Sequence, residues 1–118
     1  MRIAIPTDGQ QGMEDSISNH FGRCPTFTIY DTDTKEVEVI LNTSEHMGGS
    51  GKPPELLSQQ HIDVMITSNL GRRAVTMFKE FGIQVYCGAR GTAKDAVESW
   101  RRGELAAADE NNVCEEGH

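Results

Sequence analysis

The chain has few aromatic residues, few cysteines and no long apolar run. Of its 118 residues, 6% are aromatic, three are cysteines and four are prolines. No stretch approaches the roughly 18 consecutive apolar residues of a membrane-spanning helix, so we expect no membrane association. Three cysteines cannot all pair within one chain, and a strand-like pattern begins at Arg2, where a signal peptide would stand. We therefore expect a protein of a reducing, cytoplasmic compartment.

Basic residues are also scarce. Eleven Lys and Arg stand against 18 Asp and Glu, which gives a formal net charge of −7. Because nucleic-acid binders need clustered cations to displace counterions, we expect no nucleic-acid partner. Hydrophobic residues make up 36% of the chain and fall in periodic segments, enough for one core. The sequence predicts a single domain over residues 1–105 and an acidic, mobile tail over residues 106–118.

Hydrophobic periodicity predicts an α/β fold. Strands are expected over residues 2–6, 26–31, 36–41, 62–67 and 83–87, and the second and third of them form a hairpin. Helices are expected over residues 53–61, 70–81 and 92–103. The order β-β-β-α-β-α-β-α indicates a five-stranded mixed sheet with helices on both faces.

The loops that follow the first, fourth and fifth strands should share one edge of this sheet, where open α/β sheets bind ligands. The loops after the fourth and fifth strands, residues 67–71 and 88–92, each lead into a helix. The free N–H groups at a helix start favour anions. Ordinary short connections with turn glycines are the more frequent explanation of such segments.

The segment from Ser18 to Pro25 sets the imidazole of His20 and the thiol of Cys24 four residues apart, between two predicted strands. Neutral imidazole and thiolate bind iron, zinc and iron–sulfur clusters, so both residues are candidate metal ligands. A packed histidine beside a buried thiol is the more frequent explanation of a single such pair. The pair alone therefore leaves both interpretations open.

A glycine-rich loop with Gly48, Gly49 and Gly51 follows the third predicted strand. Its length and glycine content are typical of functional loops, although it lacks the Walker and Rossmann patterns of nucleotide sites. The chain has no nucleophile elbow and no set of His, Cys and acid with the spacing of a catalytic triad. Asp8 and Asp63 do not lie where converging nuclease carboxylates would be needed, so we expect no enzyme.

Four segments of the chain have to be considered together: Ser18-Asn19-His20-Phe21-Gly22-Arg23, Gly48-Gly49-Ser50-Gly51, Ser68-Asn69-Leu70-Gly71 with Ala74, and the stretch from Val85 to Ala96. In combination they resemble the dinitrogenase iron-molybdenum cofactor biosynthesis family. The resemblance extends over residues 1–105. It implies a ribonuclease-H-like fold without nuclease activity and a carrier of an iron–sulfur cofactor, or its precursor, during nitrogenase assembly. It also implies that His20 contacts the cofactor.

The leading interpretation is a non-catalytic carrier of an iron–sulfur cofactor or iron-molybdenum cofactor precursor, with cofactor-assembly or acceptor proteins as partners. Its expected metal ligands are His20 and Cys24. Its expected cofactor-binding residues are His20, Phe21, Gly22, Arg23, Gly48, Gly49, Gly51 and Asn69. One alternative is a regulatory module that binds a small anion or a protein without metal. The other, a divalent-metal nuclease, is disfavoured by the placement of the carboxylates.

Overall fold

The computed structural model describes residues 1–44 and 51–109. The strands are β1 (Arg2–Thr7), β2 (Thr26–Asp31), β3 (Val37–Leu41), β4 (Val64–Ile66), β5 (Gln84–Cys87) and β6 (Ala106–Ala108). The helices are α1 (Pro53–Gln59), α2 (Arg72–Glu80) and α3 (Ala93–Arg101), and short 3-10 turns cover Gly12–Glu14 and Phe21–Arg23. None of the described helices is long and apolar enough to cross a membrane.

One mixed sheet contains the six strands in the order β3-β2-β1-β4-β5-β6. β1 pairs antiparallel with β2 and parallel with β4, and β4 pairs parallel with β5. The predicted hairpin of β2 and β3 is present as an antiparallel pair. Because β1, β4 and β5 run in the same direction, their carboxyl ends meet at one edge of the sheet.

Helices cover both faces of the sheet. On one face, Ala4 of β1 belongs to an apolar cluster with Leu57 of α1 and Phe78 of α2. On the other face, Ile5 belongs to a second cluster with Val97 of α3. Successive residues of β1 point to opposite faces, which explains why its apolar run is continuous rather than alternating. The expected α/β fold with one mixed sheet is confirmed.

The expected number of five strands is wrong, because the structure has six. β6 lies within the segment that we expected to form the tail, and it pairs antiparallel with β5, with Ala106 opposite Cys87 and Ala108 opposite Val85. A run of three alanines has low β propensity and no alternation, so it carries no strand signal. The unpaired edge of β5 supplies the main-chain partners that decide its conformation.

The loop between β1 and β2 crosses the carboxyl edge of the sheet. Ile17 bridges Thr7, and its N–H donates to the carbonyl of Gly91 at 3.0 Å. The N–H of Ser18 donates to the carbonyl of Pro6 at 2.9 Å. These bonds hold the loop against β1 and against the connection into α3, and they leave the next residues at the same edge as the end of β4.

Candidate functional site

His20 precedes the 3-10 turn Phe21–Arg23 at this edge. Its N–H donates to the Oγ of buried Ser18 at 3.2 Å, and its carbonyl accepts from the N–H of Arg23 at 2.9 Å. The main chain of His20 is therefore held from both sides. Its imidazole is exposed and bonds to no residue in the described parts of the chain. A lone pair on this ring is available to a ligand.

A cavity of about 420 Å³ lies beside the imidazole. One wall is the His20 segment and the other is the connection from β4 to α2. The lining residues are Asn19, His20, Phe21, Arg23, Asn69, Leu70, Gly71 and Ala74. The structure thus brings together four of the expected cofactor-binding residues, namely His20, Phe21, Arg23 and Asn69. We call this space the His20 cavity.

Phe21 packs against the core and thereby connects the His20 segment to it. Its ring centroid lies 5.8 Å from that of Phe27 and 5.4 Å from that of Phe78, the latter in an edge-on arrangement. Both partner rings are fully buried. Aromatic pairs of this geometry contribute about 0.5–1.5 kcal/mol each beyond their buried area. Phe21 therefore lines the cavity and also keeps the neighbouring imidazole at the surface.

Cys24 lies in a different environment from His20. Its side chain is fully buried, and its Sγ donates to the carbonyl of Phe21 at 3.1 Å. Burial raises the pKa of the Cys24 thiol to about 12, against a smaller opposite effect of the Asn42 side chain. A metal binds the thiolate, so ligation by Cys24 would require loss of this proton, and Cys24 does not line the His20 cavity. The structure does not bring the two expected metal ligands to one site.

Other side chains that could bind a metal do not cluster within residues 1–44 and 51–109. No group of three or more His, Cys, Asp or Glu side chains that could hold a metal ion occurs in these ranges. Cys87, at the end of β5, is buried and does not line the His20 cavity. Among the described residues that line the cavity, His20 is the one whose side chain, an imidazole, commonly binds transition metals.

The glycines of the expected site are only partly described. Gly48 and Gly49 lie outside the described residues. Gly51 is exposed, adopts a φ of 81°, and stands two residues before α1. Gly22 is the middle residue of the 3-10 turn that follows His20. The expected role of the glycine-rich loop in binding therefore stays a prediction.

The two helix starts that we expected to favour anions differ. At α3, the N–H of Thr92 donates to the Asp95 carboxylate at 3.0 Å, and the N–H of Ala93 donates to the carbonyl of Asp15 at 2.9 Å. The Thr92 bonds lower the pKa of the Asp95 carboxyl. Groups of the chain itself thus occupy the start of α3.

Within residues 1–44 and 51–109, no side chain caps the start of α2. Its N-cap is Gly71, which lines the His20 cavity together with Ala74 of the first helical turn. Arg23 lines the same cavity and is exposed, and no acidic residue stands among the described lining residues. Although the chain has a net charge of −7, the described residues that line this cavity carry positive charge and no negative charge, which favours binding of an anion.

Asn19, Leu70, Gly71 and Ala74 were missing from the expected binding residues. All four lie within the segments on which the family resemblance rests, so the sequence contained a signal for them. Their side chains carry little chemistry that would mark them as ligands. Their position in the wall of the cavity follows from the approach of the β1–β2 loop to the start of α2.

Comparison with known proteins identifies the family. The family model described as dinitrogenase iron-molybdenum cofactor matches residues 1–103. The chain belongs to this family. The resemblance that we drew from the motifs is therefore confirmed. A curated relative, the uncharacterized protein MJ0580 of Methanocaldococcus jannaschii, is 31% identical to this chain over 110 residues. The match covers 89% of each of the two chains.

Solved structures share the fold. The apo form of the orange protein from Desulfovibrio gigas is 25% identical, with a TM-score of 0.80, over 91% of this chain and 92% of that chain. A candidate NifB protein from Thermotoga is 33% identical, with a TM-score of 0.77, over 98% of both chains. The protein PH0822 is 31% identical, with a TM-score of 0.76, over 92% of this chain and 96% of that chain. Family and neighbours together indicate a binding role related to a cofactor.

Proposed function

We propose that the protein is a non-catalytic carrier that holds an iron–sulfur cofactor or an iron-molybdenum cofactor precursor in the His20 cavity. The observation that carries this proposal is the exposed imidazole of His20, which bonds to no residue in the described ranges and lies at a cavity built from family motifs. The mixed sheet, with antiparallel β2 and β3 beside parallel β4 and β5, supports the ribonuclease-H-like classification as part of the same proposal.

Each feature of the cavity suits such a cargo. A neutral imidazole nitrogen of His20 can donate its lone pair to iron or molybdenum. The sulfides of a metal–sulfur cluster carry negative charge, which Arg23 and the uncapped start of α2 would stabilise. A cargo held by one coordinating side chain and by hydrogen bonds has few bonds to break on release. These properties suit a carrier better than a permanent cofactor site.

Anaerobic reconstitution with ferrous iron and sulfide tests the proposal. We expect the protein to gain bound iron and visible absorbance, and His20→Asn to lose most of both because the coordinating nitrogen is removed. The matched control is His61→Asn. His61 is also exposed, lies just beyond α1 and outside the cavity, and adopts a φ of 60° that Asn tolerates.

The same reconstitution also distinguishes the carrier from a second candidate function, a metal-free module that binds a small anion. Arg23 and the uncapped start of α2 favour that candidate, because neither needs a metal to attract an anion. A wild-type protein that binds no iron would contradict the carrier and leave the anion module, whereas equal iron content and equal spectra in His20→Asn and His61→Asn would exclude His20 as the ligand.

A further inference from the structure

A larger groove adjoins the His20 cavity. It measures about 1010 Å³ and lies between the start of α1 and one side of α2. Phe21, Gly71 and Ala74 line both spaces, so the groove and the cavity meet at these residues. We call it the α1–α2 groove. A molecule lying in this groove would stand next to whatever His20 binds.

The inner surface of the α1–α2 groove is apolar. Its apolar lining residues are Phe21, Pro53, Pro54, Ala74 and Met77. The two prolines are fixed in φ and open α1, so that wall is stiff, and both are buried. Phe21 is held by its contacts with Phe27 and Phe78. A preformed apolar surface of this kind accepts an apolar side chain at low cost in ordering entropy.

The rim of the groove is cationic. Lys52, Arg72 and Arg73 line it, and Glu80 is the acidic residue among its described lining residues. Arg73 is exposed and forms no hydrogen bond or ion pair with any residue in the described ranges. The whole chain carries a net charge of −7, so this group of cations contrasts with the rest of the protein. Such a local contrast selects and orients an acidic partner.

We propose that the α1–α2 groove docks an acidic protein segment with an apolar anchor, supplied by the protein that delivers or receives the cargo. The anchor packs against Phe21, Pro53 and Met77, and the carboxylates of the segment face Arg73. The combination of an apolar floor with a cationic rim matches a peptide, whereas an inorganic cluster has no apolar part for the floor. The inference rests on the proposed carrier function, because docking here brings the partner to the mouth of the His20 cavity.

A random peptide library displayed on phage, panned against the immobilised protein, tests the inference. We expect the enriched peptides to be rich in Asp and Glu and to contain Leu, Ile, Phe or Met. One enriched peptide is then synthesised with a fluorescent label, beside a counterpart in which amides replace its carboxylates. Affinity is measured by fluorescence anisotropy, and amide shifts of Phe21, Thr76 and Met77 in NMR spectra locate the site.

Two charge reversals form a matched pair of variants. Arg73→Glu changes the exposed second residue of α2 at the groove, and Lys94→Glu changes the exposed second residue of α3 on the other face of the sheet. Both alter the net charge equally, and both place an acid at a helix start, where it is tolerated. We expect Arg73→Glu to weaken the acidic peptide about tenfold and Lys94→Glu to leave its affinity nearly unchanged.

Several results would overturn the docking inference. They are the absence of enriched peptides, enrichment of neutral or basic peptides, equal weakening by both variants, and peptide-induced shifts away from the groove. Its failure is distinguishable from failure of the carrier function. Arg73→Glu should retain the iron content of the wild type, because Arg73 does not line the His20 cavity, and His20→Asn should retain peptide binding.

Discussion

At the scale of single residues, the site depends on a contrast between His20 and Cys24. The two side chains are four positions apart and could both bind a soft metal, but the chain turns between them. His20 ends at the surface, and Cys24 ends inside the apolar cluster with Phe27. This difference in burial separates their chemistry, because exposure leaves the imidazole accessible and burial favours the protonated thiol.

The protonation of Cys24 leads to a prediction about its reactivity. With its pKa raised from 9.0 to about 12, the thiol form persists through neutral pH in the folded state. The unfolded thiol ionises first, so this group should lower stability only as the pH rises above about 9. We expect iodoacetamide at about pH 8 to leave Cys24 unmodified in the folded protein and to alkylate it after denaturation.

Peptide mapping by mass spectrometry after trypsin digestion measures this alkylation. Equal rates in the folded and denatured protein would mean that Cys24 is exposed and ionisable, and would return it to the set of metal ligands. Protection of Cys24 together with loss of iron in His20→Asn would assign the coordinating role to His20 alone.

At the scale of elements, the end of α2 decides how that helix is placed against the sheet. The N–H of Ile83 donates to the carbonyl of Phe78 at 2.9 Å, and the N–H of Gly82 donates to that of Lys79 at 2.9 Å. These two bonds form the Schellman arrangement around Gly82, whose φ is 76°. Gly82 thus follows directly on the helix that we expected over residues 70–81.

Alanine at the two ends of α2 should have different effects. Gly82 has a φ of 76°, Gly71 has a φ of −76°, and an added Cβ meets nothing within 4 Å at either position. The comparison therefore isolates the backbone conformation from crowding. We expect Gly82→Ala to lower the free energy of unfolding by about 1–2 kcal/mol and Gly71→Ala to leave it unchanged or slightly raised.

Urea denaturation followed by circular dichroism measures both changes. Equal effects of the two substitutions would contradict the left-handed conformation of Gly82 as the cause. Gly71 lines the His20 cavity, so this pair is compared for stability alone.

At the scale of the whole molecule, the sheet joins a hairpin at one edge to a short strand at the other. β3 forms the first edge and β6 forms the second. β6 covers the edge of β5, which would otherwise present unpaired main-chain groups. The segment after α3 therefore belongs to the sheet up to Ala108, beyond the residues 1–103 that match the family.

Two truncated chains test the contribution of β6. A chain that ends at Leu105 lacks β6, and a chain that ends at Asp109 retains it. Both chains lack residues 110–118. We expect the shorter chain to be less stable by about 1–3 kcal/mol, because two or more main-chain hydrogen bonds of an edge strand are lost. The free energies of unfolding in urea are to be compared, and equal values would show that β6 adds nothing to the sheet.

The sequence by itself determined the elements whose signals are local. Alternation of apolar residues predicted β2 and β3, and helical spacing predicted α2 and α3 within the expected ranges 70–81 and 92–103. The family motifs also named His20, Phe21, Arg23 and Asn69 as cofactor-binding residues, and the structure places these four around one cavity. The predictions of β2, β3 and α2 succeeded because each depends on side chains close together in the chain.

Only the tertiary structure decided the remaining features. β6 depends on the free edge of β5, the burial of Cys24 depends on the core around Phe27, and the α1–α2 groove depends on how Phe21 meets both helices. The physical reason is the same in each case. Main-chain pairing, desolvation and cavity shape arise between segments that are distant in sequence, so a local pattern of residue types contains no record of them.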